Sequence, residues 1–128
     1  MYYKKIYFPS IMHTKMRIWD IDPKKLCRKH LLAEHRELHG LWNILTKHGG
    51  IGGYSRHPET LRWVGKEGAL YNRHQALVTV FLQRGYRHQT PLNQQLAIGK
   101  DNQDVFIHTL EEQKAILISK PCDCLLTI

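Results

Sequence analysis

The sequence is short of acidic residues and contains no long apolar run. Its 128 residues include 11 Asp and Glu against 19 Lys and Arg, a formal net charge of +8. Such an excess of positive charge on a small domain favours nucleic acid or another anionic surface as partner. No apolar stretch approaches the ~20 residues that a membrane-spanning helix needs. The composition therefore predicts a protein without membrane segments.

Cysteine is also scarce, and its number is odd. The three cysteines are Cys27, Cys122 and Cys124, too few for a disulfide framework, and this favours a reducing compartment. The first fifteen residues do not form a convincing secretory signal, because Pro9 and polar residues interrupt their apolar stretch. We therefore expect a cytoplasmic protein that is not secreted.

Capping signals and helical spacing predict an all-α fold. Asp22-Pro23 is a helix start, and we expect the first helix to run to about Lys47. A second, short helix is predicted from Glu59 to about Val64, with Leu61 and Trp63 as its packing residues. Residues 67–84 form the third, with Leu70, Leu77, Val78 and Phe81 facing inward.

The capping box of residues 109–112 opens a last helix to about Ser119. Residues 89–107 are predicted to form a loop, and residues 121–128 a short apolar segment that lies across the core. A chain of this length has room for one core. Residues 16–128 are therefore predicted to form one compact bundle of three to four helices with long loops. We expect the protein to be a monomer. Residues 1–15 are expected to form an extended or disordered arm, which a translation start at Met16 would exclude from the native chain.

The first predicted helix carries two glutamates in different settings. Glu34 falls on the apolar stripe, where a carboxylate needs a partner such as an arginine or a raised pKa. Glu37 lies between Ala33 and Gly40, whose small side chains predict a shallow depression around its carboxylate. The alternative is that these small residues let another helix pack closely. We expect Glu34 to be structural and Glu37 functional. The stripe consists of Cys27, Leu31, Leu38, Leu41 and Leu45.

Nine histidines raise the question of metal binding. His35 and His39 have the i, i+4 spacing of helical zinc ligands, but the flanking residues lack the HExxH arrangement. Cys122 and Cys124 lack a partner pair at a recognised spacing. The sequence analysis therefore predicts no metal site and no cofactor, and treats the two histidines as surface residues or phosphate contacts.

One series of motifs is specific to a known family. It begins with Arg17-Ile18 and His30-Leu31, continues with Ala33-Glu34 and Arg36-Glu37-Leu38, and ends with Lys47-His48. In order and spacing these residues resemble the pyrimidine-dimer DNA glycosylases of the T-even phages, the endonuclease V family. A later set resembles that family's long helix and its end, so that the resemblance covers roughly residues 16–88. The later set comprises Leu70, Arg73, Gln75, Leu77 and Leu82-x-Arg84-Gly85.

The resemblance implies a DNA-repair enzyme that combines glycosylase and AP-lyase activity on damaged double-stranded DNA. In that family an α-amine attacks the deoxyribose C1′, expels the base and forms a Schiff base, and β-elimination then cleaves the strand. Glu37 matches the family's catalytic glutamate. Arg17 and Arg36 match phosphate-binding positions, and His30, Lys47, His48, Arg73, Arg84 and Arg87 are further predicted DNA contacts. Physical chemistry agrees, since an α-amine has a pKa of ~7.7–8.0 whereas lysine titrates at ~10.4.

The nucleophile departs from the family pattern. The family uses the amine of a threonine exposed by removal of the initiator methionine, and Met16 stands at that position here. Three explanations remain open: translation starts at Met16 and its α-amine reacts, the side chain of Lys15 reacts, or the chemistry is lost. We favour the first. Gly40 also replaces an arginine of the family, and an aromatic C-terminal tail is absent.

Two other functions compete with the enzyme hypothesis. One is a non-catalytic DNA-binding module that keeps the basic face. The other is a metal-dependent nuclease that uses His35, His39 and a glutamate, although the sequence supports it less well.

Overall fold

In the part of the chain that the structure describes, four α-helices account for most of the secondary structure. The computed structural model describes residues 4–5, 17–47, 49, 55–87 and 90–125. The helices are α1 (Arg28–Thr46), α2 (Pro58–Leu61), α3 (Glu67–Gln83) and α4 (Leu110–Ile118), with short 3-10 helices at Pro23–Lys25 and Gln94–Leu96. Two strands of two residues, β1 (Lys4–Lys5) and β2 (Val105–Phe106), pair in parallel. The all-α prediction is confirmed.

The first helix begins later than predicted. The Asp22 side chain accepts a hydrogen bond from the Lys24 N–H (3.0 Å), but the turn that it caps is only the 3-10 helix Pro23–Lys25. Leu26 and Cys27 then adopt extended backbone, which buries the Leu26 side chain in the core. Cys27 is consequently the N-cap of α1 and does not belong to its core stripe, so that part of the prediction is wrong.

The core lies between α1 and α3, with the segment before α1 and the last helix packed against it. Leu31, Leu38 and Leu41 of α1 are fully buried, as predicted, and Leu45 packs at the edge. Leu70, Leu77 and Phe81 provide the matching face of α3. The bounds of α3 agree with the prediction to within one residue.

The short helix α2 differs from its prediction in the side that it buries. Trp63 is buried as expected, but Leu61 is 52% exposed. The inward-facing side chains are instead Glu59, Thr60 and Arg62. A pattern based on apolar residues missed this orientation because the buried side of α2 is held by ionic contacts.

The C-terminal part of the chain confirms the capping box and adds detail to the predicted loop. The Thr109 hydroxyl accepts from the Glu112 N–H (3.2 Å), and Glu112 Oε1 accepts from the Thr109 N–H (2.9 Å). The region predicted as loop contains the second 3-10 helix and β2. The Leu125 N–H donates to the Lys25 carbonyl (2.7 Å), which ties the tail to the segment before α1.

Some predictions fall on residues outside the described part of the chain. These are the arm apart from β1, Met16, His48, His88 and the last three residues. Within the described residues, no helix has the length and apolar character needed to cross a lipid bilayer.

Candidate active site

A buried ionic network holds the segment that precedes α1. The Arg62 side chain is nearly inaccessible to solvent and forms ion pairs with Glu59 and with Asp20 (Nη2 to Oδ2, 3.1 Å). The same guanidinium donates to the Ile18 carbonyl (2.8 Å) and to the Val105 carbonyl (2.9 Å). Burial raises the pKa of Asp20, while the charge of Arg62 opposes that rise.

Both peptide groups of Ile18 are therefore fixed by α2. Its N–H donates to Glu59 Oε1 (3.1 Å) and its carbonyl accepts from Arg62. Trp63 Nε1 donates to the other Glu59 oxygen (3.2 Å). Our sequence analysis did not identify Glu59, Arg62 or Asp20. A possible signal was the acid–base pair at i, i+3 next to tryptophan, but such pairs are also common on exposed helices.

Glu37 reaches back from α1 to the start of this anchored segment. Its Oε2 accepts a hydrogen bond from the backbone N–H of Arg17 (3.0 Å). Burial raises the pKa of the Glu37 carboxyl, and the hydrogen bond from Arg17 and the charge of Arg36 oppose the rise. The structure thus brings together two parts of the predicted site that are twenty residues apart in sequence.

The surface around Glu37 is open at Gly40. Gly40 is exposed, and a Cβ atom built there would meet nothing within 4 Å. In the part of the chain that the structure describes, no second helix packs against this position. Close helix packing therefore does not explain Gly40, and the half-buried Glu37 side chain lies beside accessible surface.

Glu34 has the structural role that we predicted. It is 1% exposed, and its two oxygens accept from Arg73 Nε (2.6 Å) and Nη2 (2.9 Å). Arg73 also donates to the Ile21 carbonyl (2.8 Å). Burial raises the pKa of Glu34, and the charge of Arg73 lowers it. The Arg73 guanidinium is therefore directed into the fold and not toward the DNA-binding surface that we predicted for it.

The other predicted DNA contacts differ in exposure. Arg36, Lys47 and Arg87 are exposed, and Arg36 and Lys47 are eleven residues apart and share one side of α1. Arg17 is half-buried, with its guanidinium 4.9 Å from the Trp19 ring centroid and Nη1 3.1 Å from His108 Nδ1. Arg84 donates to the Lys24 carbonyl (3.0 Å).

His30 is not on the open surface. It is buried, and its Nδ1 lies 3.2 Å from the Cys27 sulfur and 3.3 Å from the Cys124 sulfur. Cys122 completes a group of four potential metal donors. The sequence analysis missed this group because its two halves are more than ninety residues apart.

A second group of donors joins His35 and His39 to His74 of α3. His35 and His39 are half-buried and His74 is fully buried, so these side chains are not simple surface residues. Because Glu37 lies two positions from each of the first two, it faces the opposite side of α1. The two sides of this helix therefore carry different chemistry.

These features define a small helical protein in which a carboxylate of α1 contacts the segment that precedes this helix, with basic side chains nearby. Residues 16–94 match the pyrimidine dimer DNA glycosylase family. The chain belongs to this family of DNA-repair enzymes, whose substrate is DNA. No curated protein and no solved structure matches the chain significantly.

Proposed function

We propose that the protein is a DNA glycosylase with AP-lyase activity that acts on pyrimidine dimers or related base damage. The nucleophile in this proposal is the α-amine of Met16, in a chain translated from that methionine. The supporting observation is the hydrogen bond from the Arg17 N–H to Glu37 Oε2 (3.0 Å). In a chain that begins at Met16, the proposed nucleophile is the backbone nitrogen directly before the one that donates to this carboxylate.

The proposed chemistry uses both groups. The uncharged amine attacks C1′ of the damaged nucleotide, the C1′–N bond breaks, and the base leaves with the bonding electrons. Ring opening then gives a Schiff base between C1′ and the protein nitrogen. Glu37 stabilises the positive charge on the sugar and transfers protons during ring opening. Loss of a C2′ proton expels the 3′ phosphate and cleaves the strand.

DNA binding in this proposal relies on phosphate contacts. Arg36 directly precedes Glu37 and is exposed on α1, Lys47 is the C-cap of that helix, and Arg17 follows Met16 in the sequence. Arginine suits phosphate because its planar group donates two parallel hydrogen bonds. A damaged nucleotide must leave the base stack before its C1′ is accessible, and backbone contacts offset that cost.

Borohydride trapping tests the nucleophile. Proteins that begin at Met1 and at Met16 are incubated with duplex DNA carrying an abasic site or a thymine dimer, and reducible adducts are counted. We expect an adduct with the shorter protein alone. An adduct with the longer protein alone would assign the amine to Lys15 or to another group before Met16. Adducts with both forms would assign it to a lysine after Met16. DNA binding without an adduct in either form would favour a non-catalytic binding module.

A substitution at Glu37 tests the carboxylate. Glu37→Gln should abolish strand cleavage and leave DNA affinity nearly unchanged, because the amide keeps the shape but not the charge. Glu111→Gln is a matched control, since that side chain is 76% exposed on α4. Unchanged cleavage by Glu37→Gln would overturn the assignment.

A further inference from the structure

We propose that Cys27, His30, Cys122 and Cys124 bind one zinc ion. Their donor atoms all lie within 4.8 Å of one another. His30 Nδ1 lies between two sulfurs, 3.2 Å from that of Cys27 and 3.3 Å from that of Cys124. Three cysteines and one histidine form a recognised donor set of closed structural zinc sites. This inference does not depend on the proposed function.

The size of the group fits a single ion. A tetrahedral zinc ion with Zn–S of about 2.3 Å and Zn–N of about 2.0–2.1 Å separates sulfur from nitrogen by about 3.6 Å and sulfur from sulfur by about 3.8 Å. The observed nitrogen–sulfur distances are shorter than the first value by a few tenths of an ångström. A small outward movement around an ion would produce the tetrahedral spacing.

The surroundings also suit metal-bound thiolates. The Cys27 N–H donates to the Cys124 sulfur (3.1 Å), and such outer hydrogen bonds orient and stabilise thiolate ligands. The Leu125 N–H bond to the Lys25 carbonyl (2.7 Å) holds the tail beside the N-terminus of α1. Three thiolates and Zn²⁺ leave a net charge of −1, and Lys29 and Lys120 lie close enough to act electrostatically on His30.

The ion would connect distant parts of the chain. Cys27 and Cys124 are 97 residues apart, and one coordination sphere would join the tail to the start of the helix that carries Glu37. Zinc binding to a site assembled by folding contributes its free energy to the folded state. The site would thus serve as a structural connection, with no position left open for substrate.

Metal analysis of the full chain tests the site. The protein is purified without a histidine tag, and zinc content and free thiols are measured. Cobalt substitution should give the intense thiolate-to-cobalt charge-transfer absorption. We expect Cys124→Ser and Cys122→Ser each to lose that absorption and one equivalent of zinc. Two results would overturn the proposal. One is a fully reduced protein that gives no thiolate–cobalt absorption. The other is a protein isolated with a disulfide that zinc and reductant do not reverse.

A second, independent cluster points to another ion. We infer that His35, His39 and His74 bind one divalent cation of the zinc type through their Nε2 atoms. His39 Nε2 lies 3.2 Å from Nε2 of His35 and 3.2 Å from that of His74. Tetrahedral zinc with Zn–N of 2.0–2.1 Å separates two nitrogens by about 3.4 Å. Three imidazoles with a water molecule are a known donor set of catalytic zinc sites.

The contact at the second ring nitrogen of His74 supports this assignment. Its Nδ1 lies 2.8 Å from Gln75 Oε1, an oxygen that can accept from a protonated Nδ1. That tautomer leaves the lone pair of Nε2 for a metal ion. Metal-binding histidines commonly donate their second N–H to an oxygen in this way.

An open cavity adjoins the cluster at His39. Thr90 Oγ1 lies 3.3 Å from His39 Nε2, and the cavity, of about 610 Å³, is also lined by Trp42, Lys47 and Leu92. It has room for a water molecule or small anion as a fourth ligand. The site lies on the opposite side of α1 from Glu37.

The same metal analysis distinguishes this site from the first. Wild-type protein should hold two equivalents, and His39→Gln should lose one while keeping the thiolate–cobalt absorption. His74→Gln should have the same effect. Cys124→Ser should instead lose the thiolate–cobalt absorption and keep the equivalent that the histidines bind. The second site would be overturned if the wild-type protein held one equivalent of metal and both histidine variants retained it. Loss of cobalt from the three histidines during a single desalting step would also overturn it.

Discussion

Glu34 and Glu37 lie one turn apart on α1, but their surroundings differ completely. Glu34 accepts two hydrogen bonds from Arg73 in the core, whereas Glu37 is half-buried and accepts from one backbone N–H. A buried carboxylate fully engaged by a guanidinium has no capacity left for substrate. Among the residues that the structure describes, the other Glu37 oxygen has no hydrogen-bond partner, and it lies beside open surface. The comparison shows that three positions of helical offset can separate a buried, arginine-paired acid from one that lies beside open surface.

Breaking the buried pair should give the largest effect. Glu34→Gln or Arg73→Met leaves one charged group buried without its partner, and we expect a loss of about 3–5 kcal/mol in the free energy of unfolding. Urea unfolding of the purified variants measures this loss. The matched variant Glu37→Gln should cost about 1 kcal/mol or less, because it removes one part-exposed hydrogen-bonded charge.

The double variant Glu34→Met/Arg73→Met sharpens this prediction. Apolar side chains of similar volume should recover much of the lost stability, because neither leaves a buried charge behind. Single variants that unfold at the wild-type urea concentration would show that the pair contributes little. In that case the contrast between the two glutamates would be one of geometry and not of energy.

A smaller effect, on DNA affinity, is expected from a substitution on the exposed side of α1. Arg36→Gln should weaken DNA binding by about 1 kcal/mol and lower the slope of log K against log salt by about 1, as expected for one lost phosphate contact. Fluorescence anisotropy at several salt concentrations measures both quantities. Lys100→Gln is a control for loss of an exposed positive charge elsewhere. An equal effect of both substitutions would indicate general electrostatic attraction instead of a specific contact.

The smallest effect concerns the glycine beside Glu37. Gly40→Ala should raise the free energy of unfolding by about 0.5–1 kcal/mol, because alanine favours the helix and its Cβ meets nothing within 4 Å. Thermal unfolding measures the change. Gly68→Ala should instead destabilise, since a Cβ there would lie 2.9 Å from the Lys100 carbonyl oxygen. Stabilisation by both would contradict this account of helix packing.

Local signals predicted the helices well. The third helix and the capping box at Thr109 depend on nearby residues, and the structure has them almost where the sequence analysis expected them. The need of Glu34 for a cationic partner also followed from its position on the apolar stripe. The start of α1 did not, because burial of Leu26 against the core decides where the chain leaves the 3-10 turn.

Contacts between distant segments accounted for the remaining differences. Periodicity assigned Leu61 to the core, but ion pairs with the segment at residues 18–20 orient α2 otherwise. The two donor clusters likewise join residues from separate elements, so spacing along the chain could not reveal them. The family resemblance implied that Glu37 lies near the segment at residues 16–17. The hydrogen bond between Arg17 and Glu37 gives this expectation a geometric basis.

The attachment of Ile18 to Glu59 and Arg62 has a consequence for when the proposed reaction can take place. Both peptide groups of Ile18 are held by side chains from residues 59 and 62, and Arg62 is itself held by Asp20 and Val105. Under the proposed chemistry, the amine beside Glu37 is positioned only after these remote segments have assembled. A nascent or unfolded chain would carry the same amine without its carboxylate. Folding itself would then act as the activation step, and the enzyme would be latent until its fold is complete.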